Sequence, residues 1–183
     1  MGTTANPRIW VDSTVYAGAV GTTAPTDVTS SLNAAFKDLG FVTEDGFTEQ
    51  REQDSKDHYA SGGVLIRTTR SKHKRSFKVT TLESNENAFP LINPGSTQST
   101  TTGLTTRAIY VPETLERAFV LSQVDGTYKR RIHIARGEVV EVAEIKAGDE
   151  DMVMFELTIN IYPSAAGLLY TEITTDPAAA VTP

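Results

Sequence analysis

The sequence predicts an all-β domain, and three observations predict it. Threonine occurs 26 times, and together with Val, Ile, Phe and Tyr it favours pleated, half-buried surface over helix. Residues 152–162 alternate, with Val153, Phe155, Leu157, Ile159 and Ile161 facing one way and Glu156, Thr158 and Asn160 the other. Residues 117–124 and 127–135 flank Asp125-Gly126, a pair that accepts the positive φ values of a type I′ turn and so marks a β-hairpin. A slip of the 152–162 strand by one residue would expose its whole apolar side, so its register is strongly specified.

Taken in order, residues 8–11 read as a short strand, and 17–31 as an arm of Gly, Ala, Thr, Pro and Ser with no apolar period. Residues 39–42 give another strand. Residues 43–61 then carry almost no aliphatic side chain and are crowded with charge, which predicts a long functional loop. After Gly62-Gly63, residues 64–67 and 76–82 read as strands joined by a basic turn at 71–74, the second with Phe77 and Val79 on one face. Residues 84–92 are the candidate helix, with Ser84 as N-cap and Ala88, Phe89 and Ile92 on one side. Pro90 removes a helical donor and keeps it short. Residues 95–106 are low-complexity Ser/Thr/Gly and read as a loop. Gly137 and Gly148-Asp149 mark turns before strands at 139–145 and 152–162. The expected organisation is one domain over 1–170, with an N-terminal arm within 1–35 and a long loop at 43–61, followed by a C-terminal tail at 171–183.

The chain has 183 residues, 17 Lys+Arg against 23 Asp+Glu, and no cysteine, so neither a disulfide framework nor thiolate chemistry is available to it. A hydrophobic fraction of 39% is enough for a packed core without metal or covalent staples. No apolar run approaches the roughly 18 residues a membrane span needs, and residues 1–10 lack the plan of a signal peptide. No membrane insertion is expected.

Catalytic patterns are absent: no nucleophile elbow, P-loop, dinucleotide fingerprint or paired-histidine zinc motif occurs. His58 lies near Asp54 and Asp57, but no second His or Cys sits at ligand spacing, and a solvated loop histidine is the expected reading. His73 belongs to a basic turn, and His133 alternates with Ile132 and Ile134 on a strand. No cofactor is expected and the chain reads as a non-enzyme. What stands out is charge segregation. The acidic residues Glu44, Asp45, Glu49, Glu52, Asp54 and Asp57 precede a basic run of Arg67, Arg70, Lys72, Lys74 and Arg75. A net acidic chain without aromatic interleaving is a poor nucleic-acid reader. The basic run is either a solvated hairpin tip or one half of a contact in which acidic and basic segments of different copies meet.

The order Arg8-Ile9-Trp10-Val11-Asp12, then residues 21–27 (GTTAPTD), then 39–46 (LGFVTEDG) resembles the opening of major tail proteins of long, non-contractile-tailed bacteriophages that infect actinobacteria. The likeness continues through residues 77–85 and the 131–162 meander. The resemblance implies a β-sandwich or split-barrel tail-tube fold with one short flanking helix. It implies hexameric rings stacked into a tube whose lumen passes the genome, with the long loop and terminal arms bridging rings. The acidic loop and the basic run are then contact segments between copies. It also implies tape-measure and tail-terminator partners, assembly in the host cytoplasm and residence in the virion tail. A head-decoration protein or a tail-terminator or head–tail connector protein is the alternative. An acidic lumen would let DNA slide, because duplex DNA carries a negative charge per roughly 1.7 Å. Glu156, Glu141 and Glu144 are the candidate lining residues.

Overall fold

The computed structural model describes residues 8–149 and 152–175. The outer parts of the expected arms, residues 1–7 and 176–183, lie outside them. Strands β1 (Asp12–Gly18), β2 (Lys37–Tyr59), β3 (Leu65–Thr81), β6 (Glu116–Asp125), β7 (Tyr128–Val142) and β8 (Phe155–Ile161) are all antiparallel to their neighbours. Between β3 and β6 stand a single helical turn, α1 (Phe89–Ile92), and a separate hairpin of β4 (Thr97–Thr101) and β5 (Leu104–Ala108). A last strand, β9 (Thr171–Thr174), pairs with β7. The pairing runs β1–β2–β3–β8–β7–β6 and returns to β1, so these strands close into a barrel-like circuit and β9 lies beside it on β7. The mainly-β expectation, with one tiny helix, holds.

Closure is possible because β7 is long enough to serve different partners along its length. On one edge it pairs with β6 from Tyr128 to Glu138, and on the other with β9 at Arg130–His133 and then with β8 at Gly137–Val142. Gly137, expected to end a strand, sits inside this one. A Cβ there would stand 2.9 Å from the Asn160 carbonyl oxygen, so glycine is needed for the close approach of β8. Inside the circuit Val15, Leu39, Phe77, Val79, Phe119, Leu121, Ile132, Ile134, Leu157 and Ile159 form one core, joined by Ala88, Leu91 and Ile92 of the α1 segment. The alternation read from residues 152–162 is therefore real, although the strand itself begins at Phe155.

Part of the outer surface is covered too. Ala118 and Val120 of β6 turn away from the main core and pack under Phe36, with Leu32 and Tyr16 beside them. Of the expected arm at 17–31 only Ala17 and Gly18 are strand, and the rest is irregular chain leading into the docked Leu32 and Phe36. Arg131 ties it down by donating from Nη1 to the carbonyls of Asp27 (2.8 Å) and Ser30 (3.1 Å). Asp27 in turn accepts from the backbone N–H groups of Thr29 and Ser30 and from the Ser30 hydroxyl, which holds its carboxyl well below the usual range. His133 lies under the same cover, its ring edge-on to Phe36 at 6.1 Å. Its Nε2 is buried without a hydrogen-bond partner among the described residues, and burial lowers its pKa.

Several local expectations are corrected. The first strand begins at Asp12 rather than at residue 8. The helix has Ala88, not Ser84, at its N-cap and no side-chain cap; Asn85 Oδ1 accepts from the N–H groups of Asn87 and Ala88 in the turn that leads into it. Residues 95–106 are not a loop, because β4 and β5 pair around Thr102-Gly103, where φ values of 53° and 79° give the type I′ pattern. At the β6–β7 turn Asp125 pairs with Tyr128, and only Gly126 (φ 59°) of the two central residues is positive, as in a type II′ turn. Residues 143–145 are not strand, and residues 171–174 are strand rather than tail.

Two tests follow from this packing. Leu157 is fully buried, so Leu157→Ala leaves a cavity and lowers unfolding free energy by roughly 2–5 kcal/mol in chemical denaturation. For His133 the folded pKa lies below its unfolded value of about 6.5, so the unfolded chain takes the proton first and stability falls as pH drops below about 6.5. Denaturation midpoints from pH 8 to 5 should show that decline in the parent. It should be reduced in His133→Leu, which titrates nothing there and loses no hydrogen bond of Nε2.

Candidate functional site

The segment read as a charged loop at 43–61 is the larger part of strand β2, and the basic turn expected at 71–74 lies within strand β3. The two form one long hairpin. β1 pairs with β2 only as far as Phe41, and β8 pairs with β3 only from Ser76. Beyond these limits, from Arg51 to Tyr59 and back from Leu65 to Lys74, the ribbon leaves the barrel with both outer edges unpaired among the described residues and nearly every side chain exposed. What looked like a basic turn is a bulge: Glu52 pairs with Lys74 and Asp54 with Ser71, which leaves one extra residue on β3 beside Lys72 at φ 50°.

The acidic and basic runs meet in register within one chain, so charge segregation along the sequence does not by itself mean contact between copies. Lys72 Nζ stands 3.1 Å from Asp54 Oδ2, and Lys74 Nζ 3.8 Å from Glu52 Oε2. These exposed pairs contribute at most about 1 kcal/mol each. Asp57 accepts a 2.6 Å hydrogen bond from the Thr68 hydroxyl, and His58 Nε2 lies 3.0 Å from Thr69 Oγ1. His58 is therefore a cross-strand partner of Thr69, and no group of three potential metal ligands gathers among the described residues.

Glu49 is the hub at the hairpin's base. Arg51 and Arg75 lie directly opposite each other on the two strands, a like-charge pairing that Glu49 relieves by taking both guanidinium groups: Arg51 Nη2 at 3.1 Å and Arg75 Nη1 at 2.9 Å. Tyr170, from the segment leading to β9, donates its hydroxyl to the same carboxylate oxygen at 3.1 Å and packs edge-on against Phe77. Partial burial opposes the charge on Glu49, but the hydrogen bonds from Arg51 and Tyr170 and the two cations outweigh it and lower its pKa. Arg67 and Arg70, farther out, are exposed and form no ion pair among the described residues. The tip that follows is apolar, with Tyr59, Val64, Leu65 and Ile66 between 51% and 69% exposed.

The remaining sequence-selected carboxylates fall in two other places. Glu44 and Asp45 sit in the irregular stretch of β2 between Val42 and Phe47, against the barrel rather than on the projecting ribbon. Glu156 and Glu141 share the polar side of β8 and its neighbours, where Lys78 Nζ bonds Glu156 Oε1 at 2.9 Å. That hydrogen bond, with the charge of Glu156 and a smaller contribution from Glu141, raises the Lys78 pKa. Glu144 lies past the end of β7, 4.0 Å from Lys146. Sequence reasoning missed Lys78 as the partner that neutralises Glu156. It also missed Tyr162, whose hydroxyl donates to Glu138 at 2.6 Å and whose pKa is pushed up to about 12 by that bond and by burial. Neither has a sequence signal, because both depend on which strands become neighbours.

The family model for phage tail tube proteins matches residues 8–183. No curated protein matches the sequence. Among solved structures, the sheath/tube terminator of an extracellular contractile injection system superposes with a TM-score of 0.50 at 9% identity, covering 95% of this chain and 100% of that one. The sheath–tube complex of such a system gives 0.48 at 9% identity over 96% of this chain and 99% of that one. The tube-terminating cap of the anti-feeding prophage gives 0.49 at 13% identity over 96% and 100%. At 9% identity the likeness to the first of these is one of fold alone, whereas the family match spans nearly the whole sequence, and on that ground the chain belongs to the phage tail tube protein family.

Proposed function

We propose that the protein polymerises as hexameric rings that stack into the phage tail tube, the conduit for genome ejection, in a virion of the long, non-contractile-tailed kind. The observation that carries this reading is the β2–β3 ribbon. Solvent-exposed on both faces, open on both edges and tipped with apolar side chains, it contributes little to its own subunit's core and is shaped to reach a neighbouring one. Membership of the tail tube family supports the same role. The subunits assemble in the host cytoplasm, with tape-measure and tail-terminator proteins as partners of the growing tube.

The polar side of β8 is the proposed lumenal wall, with Glu156 and Glu141 facing the passage. Lys78 moderates rather than abolishes its acidity, since it answers one of these two carboxylates directly. Glu144 sits off the sheet and is the weakest lining candidate. DNA passing such a wall meets no row of unpaired cations, so its phosphates have little to bind.

Three experiments test this. Purified protein at high concentration should form tubes in electron micrographs; single rings that never grow would instead favour a terminator. Excising residues 54–71, which keeps Glu49, Arg51 and Arg75, should leave thermal unfolding within a few degrees of the parent while tubes disappear. Glu156→Lys should leave the subunit folded, with thermal unfolding close to the parent's, because the lost pair and the new like-charge contact with Lys78 are both open to solvent. Virions carrying it should eject DNA slowly, with recovery in added salt that screens the new cations. Normal ejection would place that wall elsewhere.

A further inference from the structure

The strongest unassigned feature is a cleft of about 540 Å³ between the start of β1 and the start of β2, lined in part by Trp10, Asp12, Asp38, Phe41, Glu44 and Glu83. None of its four carboxylates makes an ion pair among the described residues. Phe41 is 74% exposed and Val11 73%, so the rim is apolar as well as acidic. Among the described residues no cation pairs with these carboxylates, and Val11 and Phe41 stay exposed on the rim.

The hairpin tip has the opposite character. It offers Tyr59, Val64 and Ile66 as apolar surface together with Arg67 and Arg70, exposed cations without carboxylate partners among the described residues. The tip cannot serve its own cleft. Between Phe47 and Tyr59 strand β2 stays paired with β3 on either side of the bulge and extends roughly 40 Å at about 3.3 Å per residue, which carries the tip away from the cleft at the strand's other end.

We infer that the cleft lined by Trp10, Phe41 and the carboxylates of Asp12, Asp38, Glu44 and Glu83 receives the β2–β3 hairpin tip of a second copy of this chain. Apolar residues of the tip cover Trp10 and Phe41, and Arg67 and Arg70 meet the carboxylates. The contact is heterologous, tip to cleft, so in any pair one copy still has its cleft free and the other its tip, as an open polymer requires. The inference rests on the tube reading and names the surface that the ribbon reaches.

Because the chain has no cysteine and a single tryptophan, both ends of the contact can be reported individually. Separately purified Ile66→Cys and Phe41→Cys proteins, mixed and treated with a short bismaleimide under assembly conditions, should give a cross-linked pair. Tyr110→Cys, exposed but outside the cleft, should give none with Ile66→Cys. In the parent protein Trp10 emission should shift to the blue on assembly. That shift should be lost in Arg67→Glu/Arg70→Glu, whose far-ultraviolet circular dichroism and thermal unfolding should match the parent. Tubes that form with Trp10 emission unchanged and no 66–41 cross-link would overturn this contact while leaving the tube reading intact. A parent that stays monomeric at every concentration would overturn both.

Discussion

Everything in this molecule depends on β7 holding different partners along its length. Its first half is shared between β6 and β9 and its second half pairs with β8, and this changeover converts a meander into a closed circuit. It occurs at Gly137, where the β8 backbone comes too close for a side chain. Closure removes most of the unpaired edges a sheet would otherwise offer to other chains. It also encloses Phe77, Phe119, Ile132, Leu157 and Ile159 in one core, which is the main source of stability for a domain without disulfides.

With the barrel edges satisfied, the β2–β3 ribbon is the largest open backbone surface that remains among the described residues. Its form is maintained without a core of its own: cross-strand charge pairs set the register and the bulge at Lys72 adds twist, while Glu49 fastens the base to Tyr170. The exposed pairs are individually weak, so the ribbon is specified more by pattern than by energy. Such a projection is costly to leave in solution, where its apolar tip invites association. It makes sense in a family whose members build tail tubes.

The core strands were legible in the sequence because burial of one face writes a period of two into it, as at Leu157, Ile159 and Ile161. The β6–β7 hairpin was legible for a similar reason, with Gly126 punctuating two apolar runs. The projecting ribbon was not. A strand buried on neither face has no reason to alternate, so residues 51–59 and 67–74 carry no periodic signal and resemble loop. The Thr102-Gly103 hairpin escaped on the same grounds. Residues 17–31 read as an arm because they have no apolar period of their own: Leu32 and Phe36, which dock on β6, follow them, and their polar turn is held by Arg131, distant in sequence.

By itself the sequence determined the all-β class, the inward face of the main core strands, the presence of one short helix around Pro90 and the absence of cysteine chemistry. Each of these follows from local sterics or from residues near one another along the chain. The resemblance to tail proteins likewise rests on the order of short segments. Only the tertiary structure decided that the acidic and basic runs pair with each other, that Lys78 answers Glu156, and that an acidic cleft stands far along β2 from a cationic tip. Those facts depend on which strands become neighbours and in what register, and strand pairing is a long-range choice that no window of adjacent residues records.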